Sequence, residues 1–190
     1  MKEKSIYHHN QNQLLEELEL IKRAQQNAVY FEPLYNKYFE QIYRYCYQRI
    51  DDEDMVKDIT SAVFVKAITN LKKYKFKGVP FGSWLYRIAM SEVYQALKNE
   101  NNKRTVNINT IEFKELLDQN KQEDTFDEEE KARLKTAIKT LKKEEIELIQ
   151  LRYFENRSFA EIAEILGIKE NNAKVKSHRI LAKLKKIYLR

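Results

Sequence analysis

Apolar positions recur along this chain three or four residues apart, the spacing of one helix face, and almost nowhere alternate as strand positions do. Leu14, Leu15, Leu18, Ile21 and Ala24 or Gln25 mark one side of a helix over 14–28. A second stripe, Phe31, Leu34, Tyr35, Tyr38, Phe39, Ile42, Tyr43 and Cys46, predicts a helix from about Tyr30. The acidic run Asp51, Asp52, Glu53 and Asp54 breaks that stripe. It supplies an N-cap and first-turn carboxylates for a third helix, which carries Met55, Ile59, Ala62 or Val63, Lys66 and Ala67 and runs to about Leu71. Residues 74–81 read as a loop, because Gly78 and Pro80 fall together there. Ser83 is placed to cap a fourth helix bearing Trp84, Leu85, Ile88 and Ala89, with Lys98, Lys103 and Arg104 toward its end.

The pattern then changes. Residues 105–128 are weakly periodic and increasingly acidic through Glu123, Asp124, Asp127 and Glu128, and read as a linker. A short helix over Glu112 to Leu117 is compatible with its first half. Periodicity resumes with Leu134, Ile138, Leu141, Ile146, Ile149 and Tyr153. The chain divides accordingly into a domain over 1–104, a linker over 105–128 and a domain over 129–190.

The last stretch is the most specific. Ser158 precedes an apolar face of Phe159, Ile162, Ala163 and Leu166, and Glu161 stands three residues after it, as a capping box requires. Gly167 can take the left-handed conformation that ends a helix at low cost. Ile168 re-enters the core, and a second helix starts near Glu170 or Asn171. At about 100° per residue, Ala173, Ser177, Ile180, Leu181, Leu184 and Tyr188 share one side of it. Asn172, Val175, Lys176, Arg179, Lys183 and Lys186 share the other, flanked by Lys174, His178 and Lys185. This is the pattern of a helix-turn-helix whose second helix packs on one face and carries cations and amides on the other. The major groove admits such a helix. Val175, an apolar side chain on the charged face, is either an ordinary exposed valine or a contact for a thymine methyl.

Composition narrows the picture. Three glycines and two prolines in 190 residues are too few for the turns of a sheet-rich fold, so an all-α fold is expected: two small helical domains joined by an acidic linker. The net charge of +6 fits a polyanionic partner. Cys46 is the sole cysteine and sits in an apolar stripe, which excludes an internal disulfide and predicts a small buried side chain. The first residues lead into no long apolar run, which predicts a cytoplasmic protein. The three histidines, His8, His9 and His178, form no ligand cluster with cysteine. No phosphate loop or activated nucleophile is present. The expectation is a non-enzyme with no metal, no cofactor and no small-molecule substrate.

Two stretches resemble one known family. The segment Val56 to Ala67, the aromatic loop and then Trp84, Leu85, Tyr86, Arg87, Ile88 and Ala89 resemble the second domain of bacterial sigma factors. Leu151, Arg152, Tyr153 and Phe154 through Arg179 resemble their fourth domain. The short linker and the absence of a third domain match the extracytoplasmic-function (ECF) group. The resemblance implies a protein that binds core RNA polymerase, at its clamp helices and flap, and directs it to promoter DNA. It implies that Asn171, Asn172, Lys174, Val175, Lys176, Arg179 and Lys183 read the −35 duplex. It implies that the 74–81 loop captures an extruded base of the −10 element, with Tyr74, Phe76 and Phe81 as stacking surfaces and Lys72, Lys73, Lys75 and Lys77 at phosphates. Trp84, Arg87 and Ser91 complete the implied −10 set, although the spacing of Trp84 with Ile88 favours core packing. Asp58, Ile59, Ser61 and Ala62 match the surface for the polymerase clamp helices.

Three positions depart from the family pattern: Ala62 stands where a glutamate is common, Ser91 where an asparagine often helps line the base pocket, and Lys142 where a proline is common. The resemblance also implies an anti-sigma factor as a partner and a linker threading the RNA-exit path of the polymerase. A different class of function, a helix-turn-helix regulator acting without polymerase, shares the C-terminal features and differs in binding its duplex tightly alone.

Overall fold

The computed structural model describes residues 11–99 and 128–188, and every regular element among them is helical. The helices fall into two compact units, one inside 9–107 and one inside 108–190. The linker, with its expected short helix, and the basic residues Lys103 and Arg104 lie outside the described residues. No described helix is long and apolar enough to cross a membrane.

The first unit contains α1 (Gln11–Gln26), α2 (Glu32–Tyr47), α3 (Glu53–Asn70) and α4 (Phe81–Asn99), with short 3-10 turns over Ala28–Phe31 and Leu71–Lys73. Asn27 ends α1 and caps the first turn by accepting from the Val29 N–H at 3.1 Å. Pro33 lies at the start of α2, where a missing N–H costs nothing. Asp52 caps α3 through the Met55 N–H at 2.9 Å, and Glu53 and Asp54 follow in the first turn, where carboxylates complement the helix dipole. The core is built from Leu34, Tyr38, Ile42, Tyr45 and Cys46 of α2, Val56, Val63, Phe64 and Ala67 of α3, and Phe81, Leu85, Tyr86, Ala89 and Val93 of α4. Burial raises the Cys46 thiol to about 11, so it stays protonated and inert at neutral pH.

Two expectations about this unit change. Tyr35 and Phe39 were placed with the packing stripe of α2, yet they are exposed at 38% and 37%. They run with Tyr43 and Tyr47 as a ladder of rings spaced one turn apart, and Tyr35 and Phe39 lie against Phe64. Two adjacent stripes of α2 are apolar, and only the one that meets both α3 and α4 is buried. The second change is at α4. It begins at Phe81, and Ser83 lies inside its first turn, with its N–H on the Pro80 carbonyl at 2.9 Å. Ser83 is not the cap, because the helix has already begun two residues before it; at its start a carboxylate from α1 takes the free amide. Glu17 accepts from the Phe81 N–H at 2.6 Å.

The second unit contains α5 (Glu128–Lys139), α6 (Lys143–Ile149), a wide π-type turn over Gln150–Phe154, α7 (Phe159–Leu166) and α8 (Glu170–Tyr188). Lys142 precedes α6, and its backbone N–H donates to the Glu145 carboxylate at 2.8 Å. A proline there would have no such donor. Ser158 and Glu161 form the capping box: the Glu161 N–H donates to Ser158 Oγ at 3.2 Å, and the Ser158 N–H donates to Glu161 Oε2 at 2.9 Å. Gly167 ends α7 at φ 65°, and the Ile168 N–H returns to the Ala163 carbonyl at 3.0 Å. Leu134, Ala137, Ile138, Leu148, Ile149, Leu151, Ile162, Ile165, Ile180 and Leu184 form the core.

Gly82 gives a direct test of the packing in the first unit. A Cβ built there lies 2.5 Å from Tyr38, whose buried ring has no room to retreat. Gly82→Ala is therefore expected to destabilise the unit by about 1–3 kcal/mol through overpacking, more than the fraction of about 1 kcal/mol that alanine returns as helix propensity. A melting temperature equal to or above that of the parent protein in calorimetry would contradict this packing.

Candidate nucleic-acid interface

Helix α8 divides between core and solvent along its length. Ala173, Ser177, Ile180, Leu184 and Tyr188 are buried. Asn171, Asn172, Lys174, Val175, Lys176, His178 and Arg179 are exposed, Val175 at 46%. Ser177 is held from the packing side by Tyr153, hydroxyl to hydroxyl at 3.2 Å. Among the described residues, Lys174, Lys176 and Arg179 enter no ion pair, so the N-terminal half of α8 presents uncommitted cations beside two amides and one apolar side chain. The geometry suits a major groove: cations for phosphates, amides for base edges, a methyl-bearing side chain for thymine.

Lys183 is different from the rest of the −35 set. Its ammonium donates to the Thr140 carbonyl at 2.7 Å and lies 3.6 Å from the Glu145 carboxylate. The side chain thus ties α8 to the end of α5 and the start of α6, which gives it a structural partner within the domain. Helical spacing placed it with Lys176 and Arg179. The domain diverts it because an unsatisfied carbonyl at the end of α5 lies within its reach.

The turn before α7 is also more elaborate than the capping box alone. Arg157 is fully buried, with Nη1 3.4 Å from Glu161 Oε1. Its own carbonyl accepts from Arg152 Nη1 at 2.9 Å, and the Arg152 guanidinium lies over the Phe159 ring at 4.6 Å. Asn156 supplies the left-handed residue, φ 51°, that lets the chain enter this turn. Glu161 therefore caps α7 and pairs with Arg157 at once, which fixes the entry to the helix-turn-helix.

In the first unit, Tyr74, Phe81 and Trp84 form one aromatic cluster. Tyr74 stands 5.2 Å from Phe81 and 4.8 Å from Trp84, and Phe81 stands 5.4 Å from Trp84. Phe81 is fully buried, flanked as well by Phe31 and Tyr38. The expectation that Phe81 offers a stacking face is corrected: its ring is covered by four others and supports Tyr74 and Trp84 from behind. Tyr74, Phe76 and Trp84 are half-buried. Lys72, Lys73, Lys75 and Lys77, which flank the loop aromatics in the chain, are exposed, as are Arg87 and Ser91 on α4. The result is a basic rim about a partly open aromatic surface, the combination that takes up an unstacked nucleotide.

The α3 surface is partly as expected. Asp58 and Ser61 are exposed and Ala62 is half-buried, whereas Ile59 turns into the core at 7% exposure. Lys57 stands beside Asp58, 3.1 Å from Glu53 and 3.3 Å from Asp54. Sequence reasoning missed two residues of α1. Glu17 and Gln25 reach the two ends of the aromatic loop, Glu17 at Phe81 and Gln25 at the carbonyls of Leu71 and Tyr74. The signal for Glu17 was a charged residue three positions from Leu14 and four from Ile21, on the face that packs.

Comparison with known proteins agrees with this arrangement. The Sigma-70 region 2 family matches residues 34–103, and Sigma-70, region 4 matches residues 131–184. The ECF RNA polymerase sigma factor BldN of Streptomyces coelicolor is 27% identical over 171 residues, covering 90% of this chain but 65% of that protein, just under two thirds of its length. The RNA polymerase sigma factor YlaC of Bacillus subtilis is 27% identical over 156 residues, covering 82% of this chain and 90% of that one. A solved structure of CnrH in complex with the cytosolic domain of CnrY shares the fold, with a TM-score of 0.56 at 21% identity over 90% of this chain and 95% of that one. The chain belongs to the sigma-70 family, and the relatives it resembles include ECF sigma factors.

A structural role for Lys183 is open to measurement. Lys183→Ala is expected to lower the stability of the C-terminal unit by about 0.5–1.5 kcal/mol, the net worth of one hydrogen bond. The salt dependence of DNA binding should stay as it was, since no phosphate contact is lost. A reduced salt slope with unchanged melting would return Lys183 to the DNA-facing set.

Proposed function

We propose that this chain acts as a two-point promoter grip on core RNA polymerase. The N-terminal half of α8 reads the −35 duplex through Asn171, Asn172, Lys174, Val175, Lys176 and Arg179. The loop after Lys73, with Tyr74, Phe76 and Trp84 as aromatic surfaces and Lys75, Lys77 and Arg87 at phosphates, takes an extruded base of the −10 element. The exposed Ser91, where the family pattern often has an asparagine, bears on which base is accepted. The exposed Asp58 and Ser61, with the half-buried Ala62 beside them, meet the polymerase clamp helices. The protein works by binding rather than catalysis, in the cytoplasm. An anti-sigma factor, the partner that the family resemblance implies, completes the proposed set of partners.

The observation that carries this reading is the pairing of uncommitted cations on α8 with a separate aromatic and lysine surface on the first unit. One face suits duplex and the other suits an unpaired base. The energetics favour such a division. Flipping a base costs a few kcal/mol, and stacking on aromatic side chains returns about 1–3 kcal/mol per base. Opening is therefore close to balance, and an anchor on the upstream duplex decides where it occurs.

Transcription reconstituted from core polymerase and this chain, with RNA 5′ ends sequenced, tests the reading directly. Discrete start sites with a shared upstream element are expected. Initiation indistinguishable from core polymerase alone would refute it. Within that assay, Lys176→Ala should weaken −35-dependent binding and lower the salt slope by about 1, the effect of one lost phosphate contact, while start-site choice set by the −10 element persists.

A further inference from the structure

Helix α1 makes an unusual use of its polar residues. Glu17 is 1% exposed. One carboxylate oxygen accepts from the Lys37 ammonium at 2.7 Å and from the Tyr38 hydroxyl, and the other accepts from the Phe81 N–H at 2.6 Å. Two turns further along, Gln25 Nε2 donates to the Leu71 carbonyl at 2.9 Å and to the Tyr74 carbonyl at 3.0 Å. Leu71 and Tyr74 open the aromatic loop, and Phe81 closes it. Residues 74–80 contain no helix or strand, so no regular ladder of backbone bonds sets their path. Eight residues of helix span about 12 Å, and both ends of the loop are pinned to that rigid span by side chains. Both residues precede the stretch that the Sigma-70 region 2 family matches.

We propose that α1 is the splint of the base-capturing loop, with Glu17 and Gln25 as positioning residues for −10 recognition. The inference rests on the assignment of the 74–81 loop to the −10 strand. Neither side chain need touch DNA. Gln25 fixes the backbone on which Tyr74 is mounted, and Glu17 fixes the start of α4, on which Phe81 and Trp84 are mounted. The three rings of the cluster are thus set by two hydrogen-bonding groups from a helix outside the loop. A capture surface set before the base arrives has no ordering cost left to meet on binding. Loosening either end should therefore weaken base capture and leave the duplex-reading unit untouched.

The test is a cycle between protein and DNA. Gln25→Met keeps the length and the apolar stem and removes both donated hydrogen bonds. Holoenzyme carrying the parent chain or Gln25→Met is assayed for open-complex formation on a promoter of mapped start site. The non-template −10 strand is either intact or carries an abasic site, stepped through each position. On the intact promoter, Gln25→Met is expected to reduce open-complex formation about tenfold. At the position where the parent protein depends on the base, the abasic promoter should show the same two proteins differing by less than about twofold. Core binding and −35-dependent closed-complex formation should match the parent. Glu17→Gln, which keeps a carbonyl acceptor for the Phe81 N–H, is expected to retain more activity on the intact promoter than Glu17→Ala.

An equal loss from Gln25→Met on intact and abasic promoters would mean that the residue supports folding or polymerase binding in general, and would overturn the inference. No loss on the intact promoter would overturn it as well. If the parent holoenzyme is insensitive to every abasic site, base capture by the loop is itself refuted, and the splint falls with it. That outcome is distinguishable because it appears in the parent protein before any substitution is made.

Discussion

A single buried carboxylate holds the first unit together. An ionised carboxylate away from water is strongly unfavourable unless it is paired and hydrogen-bonded. Glu17 meets that demand with an ammonium from Lys37, a hydroxyl from Tyr38 and the Phe81 amide at the first turn of α4. The last partner brings the positive end of a nineteen-residue helix with it. Three helices must therefore meet at one point. Once they do, Tyr38 lies against Gly82, where nothing larger than hydrogen fits, and Phe81 is driven into the ring cluster beneath Tyr74 and Trp84. The aromatic surface assigned to base capture is a consequence of where Glu17 is satisfied.

The second unit solves the same kind of problem with local pieces. Glu161 accepts from the Ser158 N–H, receives Ser158 as a cap in return, and pairs with the buried Arg157. A carboxylate near a helix N-terminus is stabilised by the free amides and the dipole, and here the same group neutralises a guanidinium that has no access to water. The entry to α7 is rigid as a result, Gly167 closes it, and α8 leaves in a fixed direction with its cations outward. The exposed half of α8 gains freedom to face DNA because other polar side chains complete the domain. Lys183 is one of them, spent on the Thr140 carbonyl and Glu145.

In the proposed function the two units divide the labour of promoter recognition along a physical line. Duplex reading needs exposed cations and amides on a rigid helix, and α8 provides them with little demand on its surroundings. Base capture needs aromatic faces that are open on one side and supported on the other. Phe81 illustrates the support: it has no exposed surface, yet it touches both rings that do. A residue can thus be essential to the surface without belonging to it.

Features made within one or two turns were legible in the sequence. A cap from the acidic run 51–54, Ser158 as a cap, the Ser158–Glu161 box, the left-handed Gly167, the buried Cys46 and the two faces of α8 all follow from spacing and residue type. The structure realises each of them. The readings that changed depend on segments far apart in the chain. Ser83 looked like a cap, but Glu17, 64 residues earlier, takes the first amide of α4. Tyr35 and Phe39 share a helical stripe with core residues, but only the stripe facing two other helices is buried. Phe81 and Lys183 carry the right chemistry for nucleic acid, but neighbouring rings cover one and a distant carbonyl engages the other. The sequence by itself determined the helices, their caps and the character of each face, because those interactions reach no further than a turn. Only the tertiary structure decided which aromatic, cation or carboxylate is spent on the protein and which remains for the promoter. That choice depends on polar and apolar groups finding partners across the core.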